Sequence, residues 1–105
     1  MTNASLIVSN KQVRDDLSII QIVIWLVPTP VPPCTHPFKY SLVLIRKRVR
    51  VAGMDNERGK GDHQHFGGVE TPYGFSDIRS LLADFRRLVV RADVAAKLAA
   101  EKGIK

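Results

Sequence analysis

Phe38-Lys39-Tyr40-Ser41-Leu42-Val43-Leu44-Ile45-Arg46-Lys47-Arg48-Val49-Arg50-Val51-Ala52-Gly53-Met54 is the stretch that decides the fold. Its first part alternates. Phe38, Tyr40, Leu42 and Leu44 fall on one side of an extended chain, and Lys39, Ser41, Val43 and Ile45 on the other. A period of two marks a strand with one buried face. Lys47 and Arg48 interrupt, and Val49, Val51 and Gly53 then alternate with Arg50, Ala52 and Met54. The spacing predicts a hairpin of strands 38–46 and 49–55, although Lys-Arg is not among the Asn- and Gly-containing pairs that favour two-residue turns.

Upstream, residues 28–37 hold five prolines: Pro28, Pro30, Pro32, Pro33 and Pro37. Proline has no N–H to give to a ladder, so this segment reads as an extended connection. Before it runs Ser-Ile-Ile-Gln-Ile-Val-Ile-Trp-Leu-Val over residues 18–27. Its β-branched density predicts a strand, and its near-continuous apolarity predicts one covered on both faces. Residues 4–13, with Leu6-Ile7-Val8, predict a further strand ahead of the turn-prone Arg14-Asp15-Asp16.

Downstream, residues 56–74 are polar and carry Gly59, Gly61, Gly67, Gly68 and Gly74. They read as one long loop, with 69–72 too short to class. Ser76 suits a helix N-cap and Asp77 the positive end of the dipole. Ile78, Leu81, Leu82, Phe85, Leu88 and Val89 then form an apolar stripe at helical spacing. The Ala-rich residues 93–102 either prolong that helix or form a second short one, ending at Gly103. Strands followed by a helix predict an α+β fold: an antiparallel sheet of four or more strands with one C-terminal helix packed on it. The expected organisation is one domain over residues 1–92, with 93–105 a helical or flexible extension.

The chain has 105 residues, a net charge of +6 and a pI near 9.9. Residues 36–60 concentrate Lys39, Arg46, Lys47, Arg48, Arg50, Arg58 and Lys60 against only Asp55 and Glu57. That clustering points to an anionic partner such as RNA, DNA or an acidic protein. With one cysteine, Cys34, an intramolecular disulfide is excluded. Cys34 lies near His36 with no third orienting group in sequence, and reads as an incidental thiol. The longest apolar stretch, residues 17–27, is interrupted by Ser18 and Gln21 and falls short of the ~20 residues a bilayer span needs. No N-terminal segment reads as a signal peptide, so a cytoplasmic protein that does not engage a membrane is expected.

The chemistry concentrates in Asp55-Asn56-Glu57-Arg58-Gly59-Lys60-Gly61-Asp62-His63-Gln64-His65. Gly59 and Gly61 allow a turn and a close approach of backbone to ligand, which with Lys60 suggests an anion-binding nest. His63 and His65 share one face if the chain is extended. Imidazoles titrate near neutrality, so the pair suits acid–base cleavage of a phosphodiester, with Asp62 orienting one ring. Alternatively the run is a polar loop whose side chains tie down its own backbone.

This run resembles the TumE family of bacterial toxins, whose hallmark is Tyr-Asp-Asn-Glu-x-Gly-Lys-Gly-Asp-His-x-His after a Trp-containing strand, a Pro-rich loop and a His-Pro-x-Lys-Tyr segment. The chain has Ile24-Trp25-Leu26-Val27-Pro28, then His36-Pro37-Phe38-Lys39-Tyr40, then the 55–65 run, then Pro72-Tyr73-Gly74-Phe75 and Leu81-Leu82-Ala83-Asp84-Phe85. It departs from the family at Met54, where an aromatic is usual, at Gln64, where a basic residue is common, and at Gly74, where Arg is usual. The resemblance implies the toxin of a type II pair, encoded beside a helix-turn-helix antitoxin.

The resulting expectation is a toxin acting on RNA. His63, His65 and Asp62 are the catalytic candidates. Lys60, Arg58, Arg50 and Arg48 are candidates to bind phosphate, and Gly59, Gly61, Asp55 and Asn56 to shape the loop. The alternative is a non-enzymatic nucleic-acid- or protein-binding domain. No cofactor or metal is expected, giving a metal-independent ribonuclease. Asp62 and His63 point to opposite faces of an extended chain, and Asp55 would have to fold back across the glycines to join the imidazoles.

Overall fold

A computed structural model describes residues 4–103. Six strands form one antiparallel sheet in sequence order: β1 (Ser5–Val13), β2 (Ile19–Leu26), β3 (Phe38–Arg46), β4 (Val49–Glu57), β5 (Gly61–Phe66) and β6 (Val69–Pro72). A single helix, α1 (Ile78–Gly103), follows and packs on one face. The architecture is α+β, as strands followed by a helix require.

The β3–β4 hairpin has the register that its alternation demands, with Leu42 opposite Met54 and Leu44 opposite Ala52. All four are sealed from solvent and, with Ile24 and Tyr40, form the sheet side of the core. The helix side is Leu81, Phe85, Leu88, Val89 and Ala92, with Ile78 and Leu82 at its margin. Lys47 and Arg48 make the turn with φ of 52° and 67°. That left-handed turn matches the twist of the strands, and its strain of roughly 1–2 kcal/mol per residue is borne by two residues with Cβ atoms.

Three expectations are corrected. Residues 56–74 are not one loop, because β4 continues to Glu57 and then β5 and β6 follow, joined by Gly67-Gly68 at φ 58° and 85°. A two-glycine primed turn needs no further loop. β2 is covered on one face only: Ile20, Ile22 and Ile24 meet the core, whereas Gln21 and Trp25 are exposed, since the helix packs on one side. Asp77, rather than Ser76, caps α1, its carboxylate accepting the Ser80 N–H at 2.7 Å. Of the two alternatives for the Ala-rich segment, the first holds: it continues α1 without a break. Within it, Asp93 accepts two hydrogen bonds from Arg14, at 2.7 and 3.1 Å, and one from Arg46 at 2.9 Å. These fasten the helix to the β1–β2 turn and to the end of β3.

Candidate functional site

β5 is polar on both faces, and its pairing with β4 sorts its side chains. Met54 lies opposite Gln64 and Asn56 opposite Asp62, which puts Gln64 and Asp62 on the helix side. Asp55 lies opposite His63 and Gly53 opposite His65, which puts both imidazoles on the helix-free face. Two clusters result, one on each side of the sheet.

The open-face cluster centres on Asp55. Its Oδ1 lies 2.6 Å from His63 Nε2 and 3.5 Å from His65 Nε2. The rings meet edge to face with centroids 4.8 Å apart. His63 Nδ1–H donates to the Gly61 carbonyl at 2.9 Å, which fixes the ring. Arg50 Nη2 donates to His65 Nδ1 at 3.0 Å, and its Nη1 lies 3.7 Å from Asp55 Oδ2. Glu70 on β6 closes the group: its carboxylate lies 3.6 Å from His63 Nε2, 3.8 Å from His65 Nδ1 and 3.6 Å from Lys60 Nζ. His63 is 4% exposed and His65 9%. Asp55 Oδ1 and His65 Nε2 are closed to solvent and have no hydrogen-bond partner among the described residues. The 2.6 Å approach of His63 to Asp55 therefore lacks the alignment of a hydrogen bond.

Gly53 makes room for this arrangement. A Cβ there would lie 3.2 Å from Arg50 Cδ and 3.1 Å from the Leu42 carbonyl oxygen. The empty position opposite His65 is where the aliphatic stem of Arg50 crosses the sheet.

The helix-face cluster centres on Asp62. Its carboxylate accepts from Tyr40 Oη at 2.7 Å, from His36 Nε2 at 2.9 Å and from the Cys34 thiol at 3.6 Å. His36 Nδ1 accepts the Phe38 N–H at 3.3 Å, so Nε2 carries the proton given to Asp62. The ring stacks on Phe75 with centroids 3.8 Å apart. Burial pushes the Cys34 thiol above its ordinary range, and burial together with the Asp62 hydrogen bond does the same to the Tyr40 hydroxyl. Cys34 is thus a protonated donor, and the lone pair of His36 is turned away from it. The pair lacks the geometry of a nucleophile and its base.

Several sequence-predicted site residues are therefore redistributed. Asp62 contacts neither His63 nor His65; the Gly61 carbonyl and Arg50 orient the two rings, and Asp55 is the carboxylate beside them, because strand pairing brings it across. The sequence argument against a carboxylate beside the imidazoles is corrected by the same pairing. Lys60 and Arg58 lie on the exposed β4–β5 turn, while Arg48 lies at the opposite end of β4, about 33 Å of extended chain from Arg58. No anion nest forms there: Gly59 N–H donates to the Pro32 carbonyl and Lys60 N–H to that of Glu57. Asn56 is a bridge more than a loop residue, its Oδ1 accepting the Tyr40 N–H at 2.9 Å and its Nδ2 donating to the Phe38 carbonyl at 2.6 Å. Glu70 is a site residue that sequence reasoning missed. The Gly67-Gly68 pair was its signal, since a two-residue turn there sets Glu70 opposite His65.

Among the described residues no helix is long and apolar enough to cross a membrane. Comparison with curated proteins and with solved structures yields no match. The family model described as Toxin TumE matches residues 3–93, which take in all six strands and the packed part of α1. The chain belongs to the TumE family of toxins.

Proposed function

We propose that this chain is the toxin of a type II toxin–antitoxin pair, that it works in the cytoplasm, and that it cleaves RNA at the centre formed by Asp55, His63 and His65. The observation that carries the reading is the convergence of two fixed imidazoles on one carboxylate, with Arg50 and Lys60 beside them. Cleaving a phosphodiester requires charge management at the phosphate and proton transfer at the attacking and leaving oxygens. Imidazoles, a carboxylate and two cations are the groups for that work at neutral pH. Arg58 on the adjacent turn adds a cation with no ion-pair partner among the described residues. A basic chain of net charge +6 suits a polyanionic substrate. The partner would be a helix-turn-helix antitoxin, as the family resemblance implies.

The test is controlled expression with and without the neighbouring gene, paired with incubation of purified protein and total RNA. Growth arrest relieved by the neighbour, with RNA cleavage lost in His63→Ala, is the expected outcome. A protein that neither arrests growth nor cleaves RNA removes the reading.

A second reading has one observation in its favour: His63 and His65 are both buried residues, as in a structural polar cluster. In a non-enzymatic binding domain, Arg58→Ala and Lys60→Ala would weaken partner capture, whereas His63→Ala would change only stability.

A further inference from the structure

We infer that Asp55, His63 and His65 form a binding site for a divalent transition-metal ion, with Zn2+ the best match. The inference concerns the centre assigned above to RNA cleavage, but it does not depend on that reaction. One ligand atom from each residue lies within 4.8 Å of the other two. Two imidazole nitrogens and a carboxylate oxygen make up the protein ligand set of a zinc site that keeps a fourth position open. Imidazole ligation favours Zn2+ and its neighbours over Mg2+ or Ca2+, which prefer all-oxygen sites.

Three features argue for an ion rather than for a satisfied polar cluster. First, Asp55 Oδ1 and His65 Nε2 are both closed to solvent and unpartnered, and buried polar atoms are seldom left so. Second, His63 gives its Nδ1–H to the Gly61 carbonyl, so Nε2 presents a lone pair 2.6 Å from a carboxylate oxygen. An unprotonated nitrogen and a carboxylate oxygen at that distance repel, and a cation set off the line between them, on the ring's lone-pair axis, turns repulsion into ligation. A proton on Nε2 would relieve the contact only along an aligned N–H···O line, which is lacking here. Third, a backbone carbonyl on the far nitrogen is how metal-bound imidazoles are commonly oriented.

The adjustments needed are small. Ligand atoms at tetrahedral angles and bond lengths of about 2.0–2.2 Å stand about 3.4 Å apart, so His63 and Asp55 separate by under ~1 Å. His65 must move its proton to Nδ1 to ligate through Nε2. Glu70, 3.8 Å from Nδ1, is placed to accept it, and Arg50 then retains Asp55 Oδ2, which it already approaches at 3.7 Å. This departs from the metal-independent chemistry expected from sequence, where no carboxylate was seen to face the imidazoles.

A second trio, Cys34, His36 and Asp62, meets the same distance criterion. There the Asp62 carboxylate is taken up by donors and the Cys34 sulfur is protonated. That trio serves as the internal control.

The test uses the full chain without a His tag, stripped with chelator and titrated with Zn2+ and with Co2+ alone. The expected result is about one ion per chain, a rise in Tm with Zn2+ that chelator reverses, and the visible absorption of four-coordinate Co2+. His63→Ala and Asp55→Asn should weaken Zn2+ binding by ~100-fold or more, and His36→Ala should leave it in place. Should the site variants fail to fold, the wild-type titration decides alone: no stoichiometric binding and no Tm shift overturns the inference. Retention in His63→Ala with loss in His36→Ala also overturns it, by moving the site to the other trio. RNA cleavage is scored separately. Metal binding without cleavage sinks the nuclease reading and keeps this one, and cleavage by metal-free protein without binding does the reverse.

Discussion

Asp62 and His63 are consecutive in the chain and act on opposite sides of the sheet, Asp62 accepting from Tyr40 and His36 beneath the helix and His63 facing Asp55 on the open face. Sequence adjacency suggests one functional unit, yet the pleat makes them members of two.

That separation predicts different phenotypes. Asp62→Ala leaves the Tyr40 hydroxyl and the His36 N–H without their acceptor, so it should cost about 2–3 kcal/mol in a urea unfolding curve. Toxicity should persist at temperatures where the variant is folded. A folded Asp62→Ala protein with no toxicity would return Asp62 to the reaction centre.

Asn56→Ala should be among the costlier polar substitutions. Beyond the Ser41–Asp55 pair the β3–β4 ladder gives way to the Asn56 side chain, which bonds both the Tyr40 N–H and the Phe38 carbonyl. Losing both leaves a buried N–H and a half-buried carbonyl unpaired, a cost of about 2–4 kcal/mol. Hydrogen exchange at the Tyr40 amide should accelerate together with the drop in unfolding midpoint.

Gly53→Val should detach Arg50 from His65. The added side chain enters the space where the Arg50 stem lies. Arg50→Ala tests the same contact from the other end, and because Arg50 is 44% exposed its stability cost should stay below about 1 kcal/mol. Both changes should reduce toxicity ~10-fold or more if Arg50 orients His65. Nitrogen-detected NMR of His65 should report the lost hydrogen bond at Nδ1.

Leu81→Ala removes a side chain sealed between α1 and the sheet and should cost about 2–5 kcal/mol by denaturant unfolding. A change of less than 1 kcal/mol would mean that the helix does not hold this position.

Acid sensitivity should centre on the β1–β2 turn and the start of α1. Hydrogen bonds from the Ser18 hydroxyl and N–H hold the Asp16 carboxyl well below its ordinary 3.8, and the Ser80 N–H lowers that of Asp77. Both carboxylates therefore take up protons less readily folded than unfolded. Their stabilisation is complete above about pH 4 and is lost as pH falls toward the folded values. Asp16→Asn should lower Tm at neutral pH, and its gap from the wild type should close on acidification. A gap that stays constant from pH 7 to pH 2 would contradict the assignment.

The fold was legible wherever apolar residues keep a period. Leu42, Leu44, Ala52 and Met54 declared one face of a hairpin, and Leu81, Phe85 and Leu88 one face of a helix. It was illegible in β5, where Asp62 and Gln64 alternate with His63 and His65 and hydropathy carries no period. The buried surface there is polar on both sides, so the strand shows only in its turns. The site was half legible for the same reason. The imidazoles stood out by residue type, but their partners Asp55 and Glu70 come from flanking strands, and only the pairing register discloses them.

The order of elements bears on how such a chain is made. The six strands form a meander and the helix that covers their apolar face follows them all. During synthesis, segments nearer the N-terminus emerge and begin to organise first. The sheet must therefore wait, with Leu42, Leu44, Ala52 and Met54 uncovered, until Leu81, Phe85 and Leu88 leave the ribosome. A nascent chain of this design is sticky before it is folded. The open-face centre, by contrast, is built wholly from β4, β5 and β6, so its residues can be brought together before the helix has docked on the other face.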